Sequence, residues 1–107
     1  MCIICDEIYD ISLTTLDCIA CQVVTEIPDT LINLTKLNCA YTNISVIPNT
    51  LTKLVEIDCR NTTISEIPIE FTKLKKLICA ETHITTLPSV FRGIYIISGW
   101  HNKIQII

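Results

Sequence analysis

A fixed repeat of about 20 residues constrains the fold of this chain more than any other feature of its sequence. Leucine or isoleucine recurs at intervals of 21, 20, 20 and 20 residues, at Leu13, Leu34, Leu54, Leu74 and Ile94. Such a period is typical of solenoid proteins, in which each unit buries its apolar face against its neighbours. The sequence therefore predicts one domain of five stacked units, residues 13–33, 34–53, 54–73, 74–93 and an incomplete 94–107, behind an N-terminal cap over residues 1–12.

When the five units are aligned on these recurring leucines and isoleucines, which we call anchors, other positions also match from unit to unit and form columns. The alternation in Leu37-Asn38-Cys39 indicates a half-buried strand. Because the unit is too short for a crossover that contains a full helix, the strands are expected to stack in parallel through short extended or turn segments. The inward columns comprise Leu16, Leu37, Ile57, Leu77 and Ile97, then Cys18, Cys39, Cys59, Cys79 and Gly99. Proline, which fixes φ and lacks an N–H, occupies one later column: Pro28, Pro48, Pro68 and Pro88.

The pattern L-x-x-L-x-C-x-x-T-x-I-x-x-I-P-x-x-L between Leu13 and Ile107 resembles the leucine-rich repeat family, whose core consensus is L-x-x-L-x-L-x-x-N/C-x-L. The short, proline-bearing unit is similar to repeats of secreted bacterial effectors, or to the Ile/Asn/Lys/Thr-rich repeats of large DNA viruses and protists. The resemblance implies an α/β-type, right-handed solenoid with a parallel β-sheet on the concave face and little helix on the convex face. The family's asparagine, which bonds the adjacent turn, is here Cys21, Thr42, Thr62 or Thr82 in the first four units, so we expect a somewhat looser turn.

Residues beside the inward strand positions are expected to point outward on the concave face, which leucine-rich repeat proteins commonly use to bind other proteins. The resemblance therefore implies a partner-binding surface. Tyrosine, tryptophan and arginine are frequent interface anchors, and the surface contains all three. The alternative is that these are ordinary surface residues, with Trp100 covering the C-terminal end. The predicted binding residues are Lys36, Asn38, Tyr41, Glu56, Asp58, Arg60, Lys76, Glu81, Trp100 and His101; Ala40, Ala80, Asn61, Ile78, Ile96 and Ser98 are also predicted to face outward.

Two cysteine pairs near the N-terminus have the spacing of a tetrahedral zinc site: Cys2, Cys5, Cys18 and Cys21. The repeat already explains Cys18 and Cys21 as inward positions. Three alternatives remain: a zinc-bound adaptor, a disulfide that ties down the cap, or buried thiols that pack as small hydrophobes. We favour buried thiols and predict no cofactor.

Catalytic constellations are not indicated by the sequence. The two histidines, His83 and His101, occupy different outward positions of different units, and the two glycines, Gly93 and Gly99, cannot form a phosphate-binding loop. We therefore predict a protein without enzymatic activity.

Charge and hydropathy exclude further classes of partner. The net charge is −3, and lysine and arginine are scattered, so no electrostatic footprint for nucleic acid is present. No apolar run approaches the roughly 18 residues that span a bilayer. The acidic N-terminal segment does not resemble a signal peptide, and the odd number of cysteines, seven, favours reduced thiols in the cytoplasm.

The last unit ends in Ile104-Gln105-Ile106-Ile107 without a polar cap. An open strand edge with apolar residues invites pairing with another chain. The alternative function is therefore a structural, self-assembling element that forms a homo-oligomer through this end, or a fragment of a longer array.

Overall fold

The computed structural model of the chain describes residues 10–99 and 103–107, and a parallel β-sheet runs through the stacked units. Five short strands form this sheet in the order β1-β2-β3-β4-β6. A second, two-stranded parallel sheet pairs β5 with β7. The strands are β1 (Thr15–Asp17), β2 (Lys36–Asn38), β3 (Glu56–Asp58), β4 (Lys76–Ile78), β5 (Thr86–Leu87), β6 (Tyr95–Ile97) and β7 (Gln105–Ile106). The predicted parallel stack with little helix is confirmed; the described residues contain only a 3-10 turn, Ser89–Phe91.

The first four units have the register that the sequence predicts. Leu16 pairs with Leu37, Leu37 with Ile57, and Ile57 with Leu77, and all four side chains are buried. Both neighbours of each central residue turn toward the opposite face of the sheet, as strand geometry requires. The cysteine column is also buried as predicted, at Cys18, Cys39, Cys59 and Cys79.

The predicted register of the fifth unit is wrong by one residue. Leu77 pairs with Ile96, which was expected to face outward, whereas Ile97, which was expected in the core, is exposed. Leu87 likewise pairs with Ile106, and Ile107 is exposed. The slip also moves Gly99 out of the cysteine column and against Ala80, where an added Cβ would lie 2.9 Å from the Ala80 Cβ.

The register changes between the anchor and the strand of the fifth unit. In the fourth unit, the N–H groups of Lys75 and Lys76 both donate to the Val55 carbonyl, at 2.8 and 3.1 Å. Among the described residues, only Tyr95 donates to the corresponding Lys75 carbonyl, at 2.9 Å. The anchor itself is kept, because Ile94 N–H closes the same turn onto the Phe91 carbonyl. The fifth unit therefore lacks one of the two residues whose N–H groups share a carbonyl in the fourth unit.

Threonine closes the turn after the strand in place of the family's asparagine. Thr42 Oγ1 donates to the Cys39 carbonyl at 2.7 Å and accepts from Ile44 N–H at 3.4 Å. Thr62 makes the same pair of contacts with Cys59 and Ile64. These bonds lie within one unit, and both hydroxyls are buried and satisfied. Whether the turn is looser than in asparagine-bearing repeats stays a prediction.

The cap predicted for residues 1–12 lies largely outside the described residues, and only its last residues are seen. Asn33 Nδ2 donates to the Ile11 carbonyl at 3.1 Å, which ties the end of the cap to the first turn of the stack. In the described part of the chain, no helix has the length and apolarity needed to cross a membrane.

We predict that Ile57→Ala lowers the free energy of unfolding by about 2–5 kcal/mol, because it leaves a cavity in the middle of the stack. Ile57 is fully buried on the central strand of the five. Urea denaturation followed by circular dichroism measures the effect. Val46→Ala, at an exposed position, is the control and should change stability by less than about 0.5 kcal/mol. Equal stability of wild type and Ile57→Ala would contradict the assigned core.

Candidate functional site

The concave face of the sheet carries two rows of outward side chains. One row contains Lys36, Glu56 and Lys76, which are register partners on β2, β3 and β4 and alternate in charge. The other contains Asn38 and Asp58. A depression of about 240 Å³ lies on this face and includes all five residues in its lining. The structure thus brings half of the predicted binding residues together on one surface.

Arg60 is the centre of a small cluster just past the strand ends. Its Nη2 lies 3.2 Å from Asp58 Oδ2, and its guanidinium carbon lies 5.9 Å from the centre of the Tyr41 ring. This is a cation–π geometry, which constrains the guanidinium without neutralising it. The Arg60 side chain remains 41% exposed, and Tyr41 is 46% exposed. We call Tyr41, Asp58 and Arg60 the Arg60 cluster.

One atom of the Arg60 cluster lacks a hydrogen-bond partner in the described residues. Arg60 Nε is buried, and no acceptor lies within hydrogen-bonding distance. The guanidinium is therefore held by its stacking on Tyr41 and by a single carboxylate.

Asn38 and Asp58 also have a structural role that the sequence analysis missed. Asn38 Oδ1 accepts from Ala40 N–H at 3.2 Å, and Asp58 Oδ1 accepts from Arg60 N–H at 3.3 Å. Asp17 does the same for Ile19. Each side chain accepts a hydrogen bond from the backbone N–H two residues later and so caps the end of its strand. Asp and Asn commonly make this local bond, so it could have been predicted from the sequence. One carboxylate oxygen of Asp58 is left to face Arg60.

The turn after each of the strands β1–β4 places a non-glycine residue in the left-handed backbone region. The φ angles of Ala20, Tyr41, Asn61 and Glu81 lie between 55° and 59°. Such backbone costs L-residues roughly 1 kcal/mol or more each. Interunit hydrogen bonds hold it, since Tyr41 N–H donates to the Arg60 carbonyl and Asn61 N–H to the Ala80 carbonyl, both at 3.0 Å. No glycine marks this position, so the left-handed turns could not be predicted from the sequence.

Other residues of the predicted surface have mixed outcomes. Ala40 was expected to face outward and is instead fully buried. Tyr95 was not predicted, and its ring lies 6.0 Å from Lys76 Nζ as a result of the register slip. Glu81 is exposed at the turn after β4. Trp100 and His101 lie outside the described residues.

The cysteine column forms a buried stack of thiols. Burial raises the pKa of Cys39 to about 12, with a further contribution from the Asp58 carboxylate. Burial and the neighbouring thiols raise the pKa of Cys59 well above its ordinary value, and burial raises that of Cys79 to about 11. These three cysteines are not bridged. Protonated, buried thiols are poor nucleophiles and poor metal ligands.

The four cysteines with the spacing of a zinc site, which we expected to be buried thiols, are seen only in part. Cys2 and Cys5 lie outside the described residues, and Cys18 and Cys21 are buried in the apolar core. The described ranges contain no group of three or more histidine, cysteine, aspartate or glutamate side chains arranged to hold a metal ion.

Comparison with known proteins agrees with the repeat geometry. The family model described as Leucine Rich Repeat matches residues 33–54. No curated protein sequence matches the chain. Among solved structures, the chain is similar to the "functional domain of InlJ from Listeria monocytogenes", which "includes a cysteine ladder", with 24% identity and a TM-score of 0.64. The match covers 82% of this chain and 25% of that one, so this chain spans about a quarter of the length of the InlJ structure.

Stacked 20-residue turns, one parallel strand per unit and inward apolar columns define a β-solenoid built from repeats. With the matching unit at residues 33–54, the fold is that of a leucine-rich repeat solenoid.

We predict that the protein loses stability as the pH rises above about 9. The pKa of Cys39 is raised in the folded state, so the protonated thiol contributes to the free energy of unfolding. This contribution is fully present below the ordinary thiol pKa of 9.0 and is lost as the pH approaches 12. At about pH 10.5 the loss from this thiol is about 1–2 kcal/mol. Urea titrations at several pH values measure it.

The control is Cys39→Ala, which should be less stable than wild type at pH 7 but should fall less between pH 9 and about 10.5. The same pH slope in both proteins would show that the Cys39 thiol ionises freely in the folded state.

Proposed function

We propose that this protein is a non-enzymatic recognition module that binds a partner protein through the concave face of its sheet. The observation that supports the proposal is the Arg60 cluster, in which a charged guanidinium is positioned but left 41% exposed beside an exposed tyrosine ring. The leucine-rich repeat family is commonly a protein-interaction scaffold.

The physical argument rests on preorganisation. Binding costs free energy when long side chains lose rotamer freedom, and Arg60 is already constrained by Asp58 and Tyr41. A carboxylate or a main-chain carbonyl of the partner would meet guanidinium N–H groups that are already oriented. Tyr41 would supply apolar contact at low entropic cost, and the depression beside β1–β4 would receive a partner side chain.

The mixed charges of this face favour a protein over nucleic acid. Lys36 and Lys76 flank Glu56, so the face offers no continuous positive strip for a phosphate backbone. We further propose that the protein acts without a cofactor and away from membranes. A cytoplasmic location is also our proposal, supported by the three unbridged thiols Cys39, Cys59 and Cys79.

We predict that Arg60→Ala weakens binding of the partner by at least about tenfold, because truncation of a central interface arginine typically costs more than 1.4 kcal/mol. Affinity capture with wild-type protein identifies candidate partners, and calorimetry with each purified candidate measures the dissociation constant. Tyr41→Phe should weaken binding only slightly, because it keeps the ring that Arg60 stacks on.

Lys73→Ala is the matched control, since Lys73 is a cation exposed outside the sheet. A genuine partner should bind Lys73→Ala and wild type equally. If every captured protein binds Arg60→Ala as tightly as wild type, the concave face is not the binding surface.

A second candidate function, self-assembly through the last unit, is favoured by one observation. Within the described residues, β6 pairs on one side only, and Tyr95 and Ile97 on it are exposed. A strand with an open edge and apolar side chains can add a strand from a second chain. Ile107, which follows β7, is a further exposed apolar residue of the last unit.

If self-assembly is the function, multi-angle light scattering will show a mass that rises with concentration into the high micromolar range. Ile107→Lys should then return the protein to a monomer by placing a charge at the interface. A constant monomer mass for the wild type over this range would exclude this candidate and leave the partner-binding proposal intact.

A further inference from the structure

A groove much larger than the concave depression lies along the proline-bearing segments. Its volume is about 1170 Å³, and residues from the first four units and Ile107 line it. Pro28, Pro48 and Pro68 recur along it, one from each successive unit. The partner-binding proposal for the sheet does not use this surface.

The groove has a physical origin in the backbone. In the fourth unit, the segment before the proline pairs as β5 with β7. In the described part of the first three units, the equivalent residues form no strand ladder. Proline cannot donate a hydrogen bond, so each unit presents one donor fewer on this side. The segments therefore lie open beside one another.

The lining of the groove concentrates negative charge. It contains four carboxylates, Glu26, Asp29, Glu66 and Glu70, and no lysine or arginine. All eight basic residues of the chain lie elsewhere. Since the whole chain has a net charge of −3, the remainder of the molecule without the groove is slightly positive.

Exposed apolar side chains accompany these carboxylates. Val46, Ile69 and Ile107 line the groove and are 68%, 60% and 67% exposed. Val46 occupies the repeat position of Glu26 and Glu66, in the unit between them. At this one repeat position, the residues lining the groove are acidic, apolar and acidic along the stack.

We propose that this groove binds an extended, basic peptide segment of a partner protein. Basic side chains of the segment pair with the carboxylates of the first and third units, and an apolar residue between them packs on Val46. The charge complementarity identifies the occupant, because a neutral or acidic peptide would leave the four carboxylates of the groove without a partner of opposite charge.

The repeat also sets the spacing of the basic residues. Glu26 and Glu66 lie two units apart, and two units measure roughly 10 Å on the sheet, where neighbouring strands are about 4.8 Å apart. An extended chain covers roughly 10 Å in three residues. A peptide with arginines at positions i and i+3 therefore matches the two acidic units.

The test uses a fluorescein-labelled peptide with two arginines three positions apart and leucines between and beside them. Fluorescence anisotropy should show saturable binding to the wild-type chain. The double variant Glu26→Gln/Glu66→Gln should bind roughly tenfold more weakly, since each exposed charge pair contributes up to about 1 kcal/mol. Val46→Lys, which places a cation between the two acidic units, should abolish binding. Circular dichroism confirms that both exposed-site variants fold.

The matched control is Glu56→Gln/Glu81→Gln, which removes the same charge from the concave face. It should bind the peptide as the wild type does. Equal weakening by both double variants would show general attraction to an acidic protein and would overturn the proposal, as would an absence of saturable binding. A rise in wild-type mass with concentration that Glu26→Gln/Glu66→Gln removes would show that a second copy of this chain occupies the groove, which also overturns it. None of these outcomes depends on Arg60.

Discussion

Parallel backbone hydrogen bonding between neighbouring units is the interaction on which the rest of the structure depends. In the second unit it begins where Thr35 N–H donates to the Thr14 carbonyl at 2.7 Å and continues past the strand, where Tyr41 N–H donates to the Arg60 carbonyl at 3.0 Å. This run is longer than the three-residue strand itself. It holds the left-handed turns, sets the register of the inward columns and fixes which side chains face outward. In the turn after β2, Ala40 is fully buried, whereas Tyr41 is exposed and stacks with Arg60.

The sheet side and the proline side of each unit differ, because only the sheet side keeps this hydrogen bonding between all five units. On the sheet, the ladder fixes the rows of side chains and leaves a small depression. On the proline side, the first three units form no ladder in the described residues, and a groove several times larger results. The charges follow the same division. Lysine and carboxylate alternate on the sheet, whereas the groove carries carboxylates alone.

The sequence predicts the fold well where the columns are chemically distinct and poorly where they are not. The cysteine and proline columns allow one alignment only, and the first four units match it. In Ile94-Tyr95-Ile96-Ile97, isoleucine occupies both possible inward positions, so hydrophobic pattern alone cannot locate the lost residue. That residue is lost at the step where two N–H groups share one carbonyl, a feature of backbone geometry with no side-chain signature.

The candidate site was predictable in its location but not in its internal contacts. Strand periodicity placed Lys36, Glu56 and Lys76 on one face, because alternate residues of a strand must share a face. The stacking of Arg60 on Tyr41 depends on a left-handed turn at a tyrosine, which propensity disfavours and which interunit hydrogen bonds impose. The proline groove was not predicted, because no strand periodicity marks that side of the first three units. Its acidic positions are far apart in the chain and meet only in the stack.

Comparison of the units with one another shows which repeat positions keep one residue type and which vary. Cysteine, threonine and proline recur in fixed columns, and these positions are buried or half-buried. Burial within the stack raises the pKa values of Cys39 and Cys79, which keeps these packed thiols protonated. Positions that change character from unit to unit are instead at the surface, as with Glu26, Val46 and Glu66. Stacking imposes no requirement on these positions, and they form the two surfaces at which we propose binding.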